Sequence, residues 1–101
     1  MSEIEILLEK EIDSDLGSRN KIETLFKSIP DNISKVVMNF KGVNFMGRSF
    51  AQEYLNQKHK ASFEVIECNV PDDVQKLFDI ILKINGHKNF FLYILLKSLH
   101  F

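Results

Sequence analysis

Residues 35–56 constrain the fold of this chain more than any other segment. They open with the apolar run Val36-Val37-Met38-Asn39-Phe40, which has the length and composition of a buried strand. A loop containing Gly42 and Gly47 follows, and a pattern with helical period starts at Ser49. The segment therefore predicts a strand that leads through a loop to the start of a helix. That end of a helix favours negative charge, because its first N–H groups have no partner within the helix.

The composition limits the class of protein and its partners. A chain of 101 residues, 45% hydrophobic and 27% charged, suits one globular domain over residues 1–101. A net charge of −1 gives no electrostatic basis for binding nucleic acid or an anionic membrane. The N-terminus lacks the basic start of a signal peptide, and no apolar run reaches about 18 residues, so we expect a cytoplasmic protein with no membrane partner. Cys68 is the only cysteine, and its apolar surroundings predict a buried thiol.

Strand and helix patterns alternate along the chain, which predicts an α/β fold with at least one parallel strand pair. Residues 13–17 have the composition of a turn. Residues 62–68 are apolar on both faces, so we expect them to form a central parallel strand. The predicted strands are residues 4–8, 35–40 and 62–68, and the predicted helices are residues 18–29, 49–60 and 71–86.

The C-terminal element, residues 89–101, has nine apolar side chains among its thirteen residues. Two structures remain open for it, a final helix packed on the sheet and a strand over residues 90–96, because periodicity does not separate a buried helix from a buried strand. If the fold leaves this segment uncovered, it is a contact surface for a partner or for a second copy in a homodimer.

Residues 36–43 and 45–55, together with residues 16–19, resemble the STAS-like family, relatives of the STAS domains of anti-sigma factor antagonists. The resemblance implies a small mixed or parallel sheet of three to four strands with helices packed against it. It also implies regulated protein binding without catalysis or a cofactor. In antagonists, a Ser that starts the helix after the second core strand is phosphorylated by a histidine-kinase-like ATPase or sensor kinase, and Ser49 is the matching residue. The chain reads Gly47-Arg48-Ser49-Phe50, where antagonists usually read Asp-Ser-Ser-Gly.

Two interpretations of Ser49 remain open at this point. It is a phosphoacceptor, or it is only a helix N-cap, since Ser49 and Gln52 have the spacing of a capping box. Phe45 and Phe50 similarly fit either an exposed recognition patch or the core. The residues that we expect to contact a partner are Gly47, Arg48, Phe50, Glu53 and Tyr54.

The remaining residues give little indication of a metal-binding, phosphate-binding or catalytic site. His59, His87, His100 and Cys68 share no ligand spacing, so we expect no metal site. The glycines do not form a phosphate-binding loop, and the residues around Ser49 lack the G-x-S-x-G pattern of serine hydrolases. We therefore expect no catalytic residues. Two non-enzymatic functions lead: a STAS-like regulatory module that binds a protein and is switched at Ser49, and a constitutive scaffold or homo-oligomerisation domain that uses the apolar C-terminal segment. A third hypothesis is a small hydrolase or ligand binder, which needs a pocket with convergent polar groups, for which the sequence offers few candidates.

Overall fold

A computed structural model describes residues 2–86 of the chain. In chain order the elements are β1 (Ser2–Leu7), α1 (Leu8–Glu11), β2 (Asp15–Leu16), α2 (Arg19–Lys27), β3 (Ile33–Asn39), β4 (Phe45–Met46), α3 (Arg48–Lys60), β5 (Glu64–Cys68) and α4 (Asp72–Gly86). The predicted C-terminal element, residues 89–101, lies outside the described residues.

Within residues 2–86, three strands form the main sheet, in the order β1-β3-β5, and both strand pairs are parallel. Val36 lies between Ile4 and Val65. Among these described strands β3 is central and β5 is at an edge, so the prediction that residues 62–68 occupy the centre does not hold for them. The reason is visible in the side chains, because Glu64 and Ile66 of β5 are exposed on the sheet face that its apolar composition had suggested would be buried.

The core lies on one face of this sheet. Val36 and Met38 of β3 are fully buried and belong to one cluster with the buried residues of α2, α3 and α4. Phe40 and Tyr54 meet edge to face with their ring centroids 5.8 Å apart, and Tyr54 stacks on Phe78 at 5.5 Å. Strands alternating with helices that pack on the sheet confirm the predicted α/β class.

The loops at the carboxyl ends of the strands contain structure that the sequence did not predict. Residues 13–17, expected to be only a turn, include β2, which pairs in parallel with β4. The four-residue helix α1 follows β1 directly. Gly42 takes a left-handed backbone with φ of +84°, and a Cβ at this position would collide with the Glu9 carboxylate of α1. The loop before α3 is thus held in place by both α1 and β2.

Candidate functional site

The first turn of α3 is where the sequence placed the site. Gly47 is the N-cap of α3, and no side chain makes a capping hydrogen bond there. Its N–H donates to the carbonyl oxygen of Leu16 at 2.8 Å, and its carbonyl accepts from the N–H of Ala51 at 3.0 Å. The helix start is therefore fixed to β2 by the backbone alone.

Ser49 is the second residue of α3 and is exposed. The interpretation of Ser49 as the N-cap of a capping box with Gln52 was wrong, because the helix begins one residue earlier and Gly47 takes the cap position. Gly is an accepted N-cap, since it adopts the extended backbone of that position without strain. The Ser49 hydroxyl is thus free of the structural role that would have accounted for it.

The predicted partner contacts separate into two groups. Arg48 is exposed and Gly47 is half-buried, so both are accessible at the surface. Phe50 and Tyr54 are fully buried in the core, and Glu53 is 6% exposed. This corrects the prediction for Phe50, Glu53 and Tyr54, because these three side chains support α3 from within and cannot reach a partner in this fold.

Glu53 is held by two hydrogen bonds. Its Oε1 accepts from Nη2 of Arg19 at 3.0 Å, and its Oε2 accepts from Nε2 of Gln57 at 2.7 Å. A carboxylate this buried requires such partners, because an unpaired charge in the interior is costly. The Arg19 side chain remains 63% exposed, so it carries its positive charge to the surface beside the first turn of α3.

Arg19 and Ser49 line the same polar depression, together with Gln52, Glu53 and Asn56. Its volume is about 130 Å³, below the ~300–1,000 Å³ that encloses a small-molecule ligand. The depression suits a charged group presented by the surface, such as a modified side chain, rather than an enclosed substrate. A second and more open depression of about 370 Å³ lies along the outer side of α2.

Tyr54 connects the first half of α3 to the edge of the sheet. Its hydroxyl donates to Oε2 of Glu67 at 2.6 Å, and Nζ of Lys58 lies 3.0 Å from the same carboxylate. Burial is the largest cause that raises the pKa of Tyr54 well above its usual value of 10.0, and the negative charge of Glu67 adds to it. The phenol therefore stays neutral at physiological pH and acts as a structural hydrogen-bond donor.

Asn39 ends the central strand as a fully paired polar residue. Its side chain donates to Oε2 of Glu5 at 2.8 Å and accepts from the N–H of Lys41 and from Nδ2 of Asn69. Asn69 has a left-handed backbone with φ of 56°, which Asn tolerates better than most residues. Cys68, adjacent to this cluster, is only partly buried, whereas its apolar surroundings in the sequence predicted a buried thiol.

In the part of the chain that the structure describes, residues 2–86, no His, Asp or Glu side chain is hydrogen-bonded to the Ser49 hydroxyl, and no group of three His, Cys, Asp or Glu residues is placed to hold a metal ion. None of its helices is long and apolar enough to cross a membrane.

Comparison of the whole chain with models of protein families, with curated proteins and with solved structures gave no match.

Arg19 is the residue of this site that the sequence interpretation missed. It lies 30 residues before Ser49, on another helix, and only the packing of α2 against α3 brings the two together. The burial of Glu53 had a signal in the sequence: Phe50, Glu53, Tyr54 and Gln57 share one helix face at spacings of three and four residues. A Glu within an apolar face indicates a buried carboxylate that needs a cationic partner.

Proposed function

We propose that this chain is a non-enzymatic regulatory module of the STAS-like type that binds a protein partner through the start of α3 and is switched by phosphorylation of Ser49. The observation that carries the proposal is the exposure of Ser49 in the first turn of α3, where it shares a polar depression with Arg19 and follows the exposed Arg48 in the chain. The histidine-kinase-like ATPase or sensor kinase that the family resemblance implies is the proposed partner.

The surface around Ser49 has the components of a small protein-binding patch. Phe45, in the strand just before α3, is 54% exposed, which is unusual for a large aromatic side chain. Arg48 is exposed beside it. Aromatic and Arg side chains are the residue types enriched at the energetic centres of protein interfaces. Phe45 and Arg48 therefore supply an apolar contact and an ionic contact to an acidic partner surface.

A phosphate at Ser49 would change this surface without unfolding the domain. It adds about −1.5 to −2 charges and three acceptor oxygens. The helix N-terminus stabilises a nearby anion by ~0.3–1 kcal/mol. Arg19 lines the same depression as Ser49, and Arg48 precedes Ser49 in the chain, so these two cations are the proposed partners of the phosphate. A partner packed on the same surface would meet a new negative charge and would lose Arg48 as a contact. Binding is expected to fail while the fold persists.

The test uses the intact chain and the histidine-kinase-like ATPases and sensor kinases of its own organism, each expressed as a candidate partner. Incubation with ATP should add one phosphate to the wild-type chain by intact mass, and none to Ser49→Ala. Ser49→Glu should weaken partner binding by about tenfold or more, which corresponds to ~1.4 kcal/mol. Ser62→Glu is the matched control, because Ser62 is exposed at the opposite end of α3, and its binding should equal that of the wild type.

Two results would contradict the proposal at different levels. Unchanged binding of Ser49→Glu, with no phosphate transferred, excludes the switch. Unchanged binding after Phe45→Ala and Arg48→Ala excludes this surface as the place where the partner binds.

A further inference from the structure

The main sheet has a second face that no described helix covers. We call it the open face, and it consists of the odd-numbered residues of β1 and β3 and the even-numbered residues of β5. The register brings Glu5 beside Val37 and Val37 beside Ile66, so these side chains lie on one side of the sheet. Among the apolar residues of the open face, Leu7, Val37 and Ile66 lie outside the core cluster, and only Ile33 at the start of β3 belongs to it.

An uncovered face is unusual for a sheet of this kind. All-parallel sheets occur almost only with both faces covered, because their strands are apolar on both sides. β3 follows this rule, since Val37 on the open face is as apolar as Val36 on the covered one. Leu7 and Val37 are partly exposed within the described residues, and Ile66 is 36% exposed. This apolar strip requires a cover.

The charges of the open face indicate what kind of segment covers it. Glu3, Glu5 and Glu64 are all exposed on this face, against the single cation Lys35. A second copy of the same face would place carboxylates opposite carboxylates, which disfavours a symmetric face-to-face dimer. A cationic apolar segment is complementary.

Residues 87–101 have this composition. They contain nine large apolar side chains, Lys88 and Lys97, two His and no acidic residue. They continue directly from α4, and fifteen residues reach up to ~50 Å when extended, or ~22 Å as a helix. Either length exceeds the width of three strands spaced ~4.8 Å apart.

We infer that residues 87–101 of the same chain cover the open face, with their apolar side chains on the strip around Val37 and Ile66 and their lysines beside the glutamates. The inference is independent of the switch at Ser49, which lies at the start of α3 on the other side of the sheet.

Cys68 provides the readout, because it is the only thiol in the chain and its side chain lies on the open face. In the intact wild-type protein we expect an aromatic disulfide reagent to label Cys68 slowly. In the double variant Ile94→Asp with Leu95→Asp, labelling should be about tenfold faster, because loss of the cover opens the site. Two adjacent positions are changed because in a strand one of two neighbouring side chains faces the sheet, and in a helix the two together cover more of the circumference than one position would.

Control variants separate uncovering from unfolding. Ile80→Asp introduces the same charge on α4, where Ile80 is 50% exposed, and should leave the labelling rate unchanged. Lys97→Glu is milder than the double variant and should raise the rate by about threefold, with the effect reduced at high salt. Circular dichroism of each variant checks that the domain remains folded. If the double variant does not fold, the Cys68 labelling rate of Lys97→Glu tests the inference.

Three results would overturn the inference. The first is equal labelling of Cys68 in wild type, Lys97→Glu and the double variant. The second is protection of Cys68 only in a dimer seen by light scattering, which would assign the cover to a second copy. The third is hydrogen-exchange protection at the free edge of β5 that is lost in the double variant while Cys68 labelling stays the same. That result would place the segment as an added strand rather than on the face.

Discussion

Helix α3 has a buried side and an exposed first turn, and they differ in what holds them. Tyr54 on the buried side contacts the rings of Phe26, Phe40 and Phe78 and hydrogen-bonds Glu67. Ser49 in the first turn is exposed and bonded to none of the described side chains. Residues five positions apart on one helix thus serve different purposes. Changes on the buried side should alter stability, and changes in the first turn should alter binding.

The largest expected effect on stability compares two phenylalanines that are close in sequence, one buried and one exposed. Phe40 is fully buried against Tyr54 and Phe78, whereas Phe45 is 54% exposed. Phe40→Ala should lower the free energy of unfolding by ~3–5 kcal/mol, because it removes buried area and leaves a cavity. Phe45→Ala should change it by less than ~0.5–1 kcal/mol. Urea unfolding of both variants measures this, and similar losses would show that the exposed loop is part of the core.

The next effect concerns the buried hydroxyl of Tyr54. Tyr54→Phe leaves the ring packing intact but removes the hydrogen bond to Glu67, so we expect a loss of ~1–3 kcal/mol at pH 7. Because the pKa of Tyr54 is raised in the fold, the unfolded chain ionises first as the pH rises. The stability contributed by the neutral phenol is therefore complete below about pH 10 and decreases above it, by up to ~1.4 kcal/mol per pH unit.

Urea midpoints at pH 8, 9, 10 and 11 check the sign of this dependence. The wild type should lose stability above pH 10 more steeply than Tyr54→Phe, so the two curves should converge. Parallel curves would mean that Tyr54 titrates normally in the folded protein and is not buried as described.

The longer helices and strands could be predicted from the sequence because each is long enough to show a periodic pattern of apolar residues. The helical spacing of Ile22, Leu25, Phe26 and Ile29 predicted α2, and Ile22, Phe26 and Ile29 are buried. β2 and β4 have two residues each and α1 has four, too few for a periodic pattern to appear. They form because the loops they belong to pack against each other, a tertiary effect that a local pattern does not contain.

The sequence predicted where the site lies in the chain, but only some of the residues that form it. The start of α3 was expected within one residue, and Ser49 is exposed as the hypothesis required. The capping-box spacing of Ser49 and Gln52 was misleading, because Gly47 satisfies the same backbone position without a side chain. The pairing of Arg19 with Glu53 depends on how α2 crosses α3, which no spacing within either helix reports.

The smallest effect is expected from Arg19 itself, and it tests how strongly the first turn is tied to the rest of α3. Arg19 is 63% exposed, so its ion pair with Glu53 should contribute only ~0–1 kcal/mol to stability. Glu53 keeps its hydrogen bond to Gln57 in Arg19→Gln.

Lys58→Gln is the matched control, because it removes another ion pair of α3 and leaves Glu67 bonded to Tyr54. Urea unfolding in low salt and in 1 M salt should show small losses for both variants, and smaller ones in high salt, where charges are screened beyond ~3 Å. A loss for Arg19→Gln as large as that for Phe40→Ala, and unaffected by salt, would mean that the ion pair belongs to the buried side of α3 and that Arg19 is not available to a phosphate at Ser49.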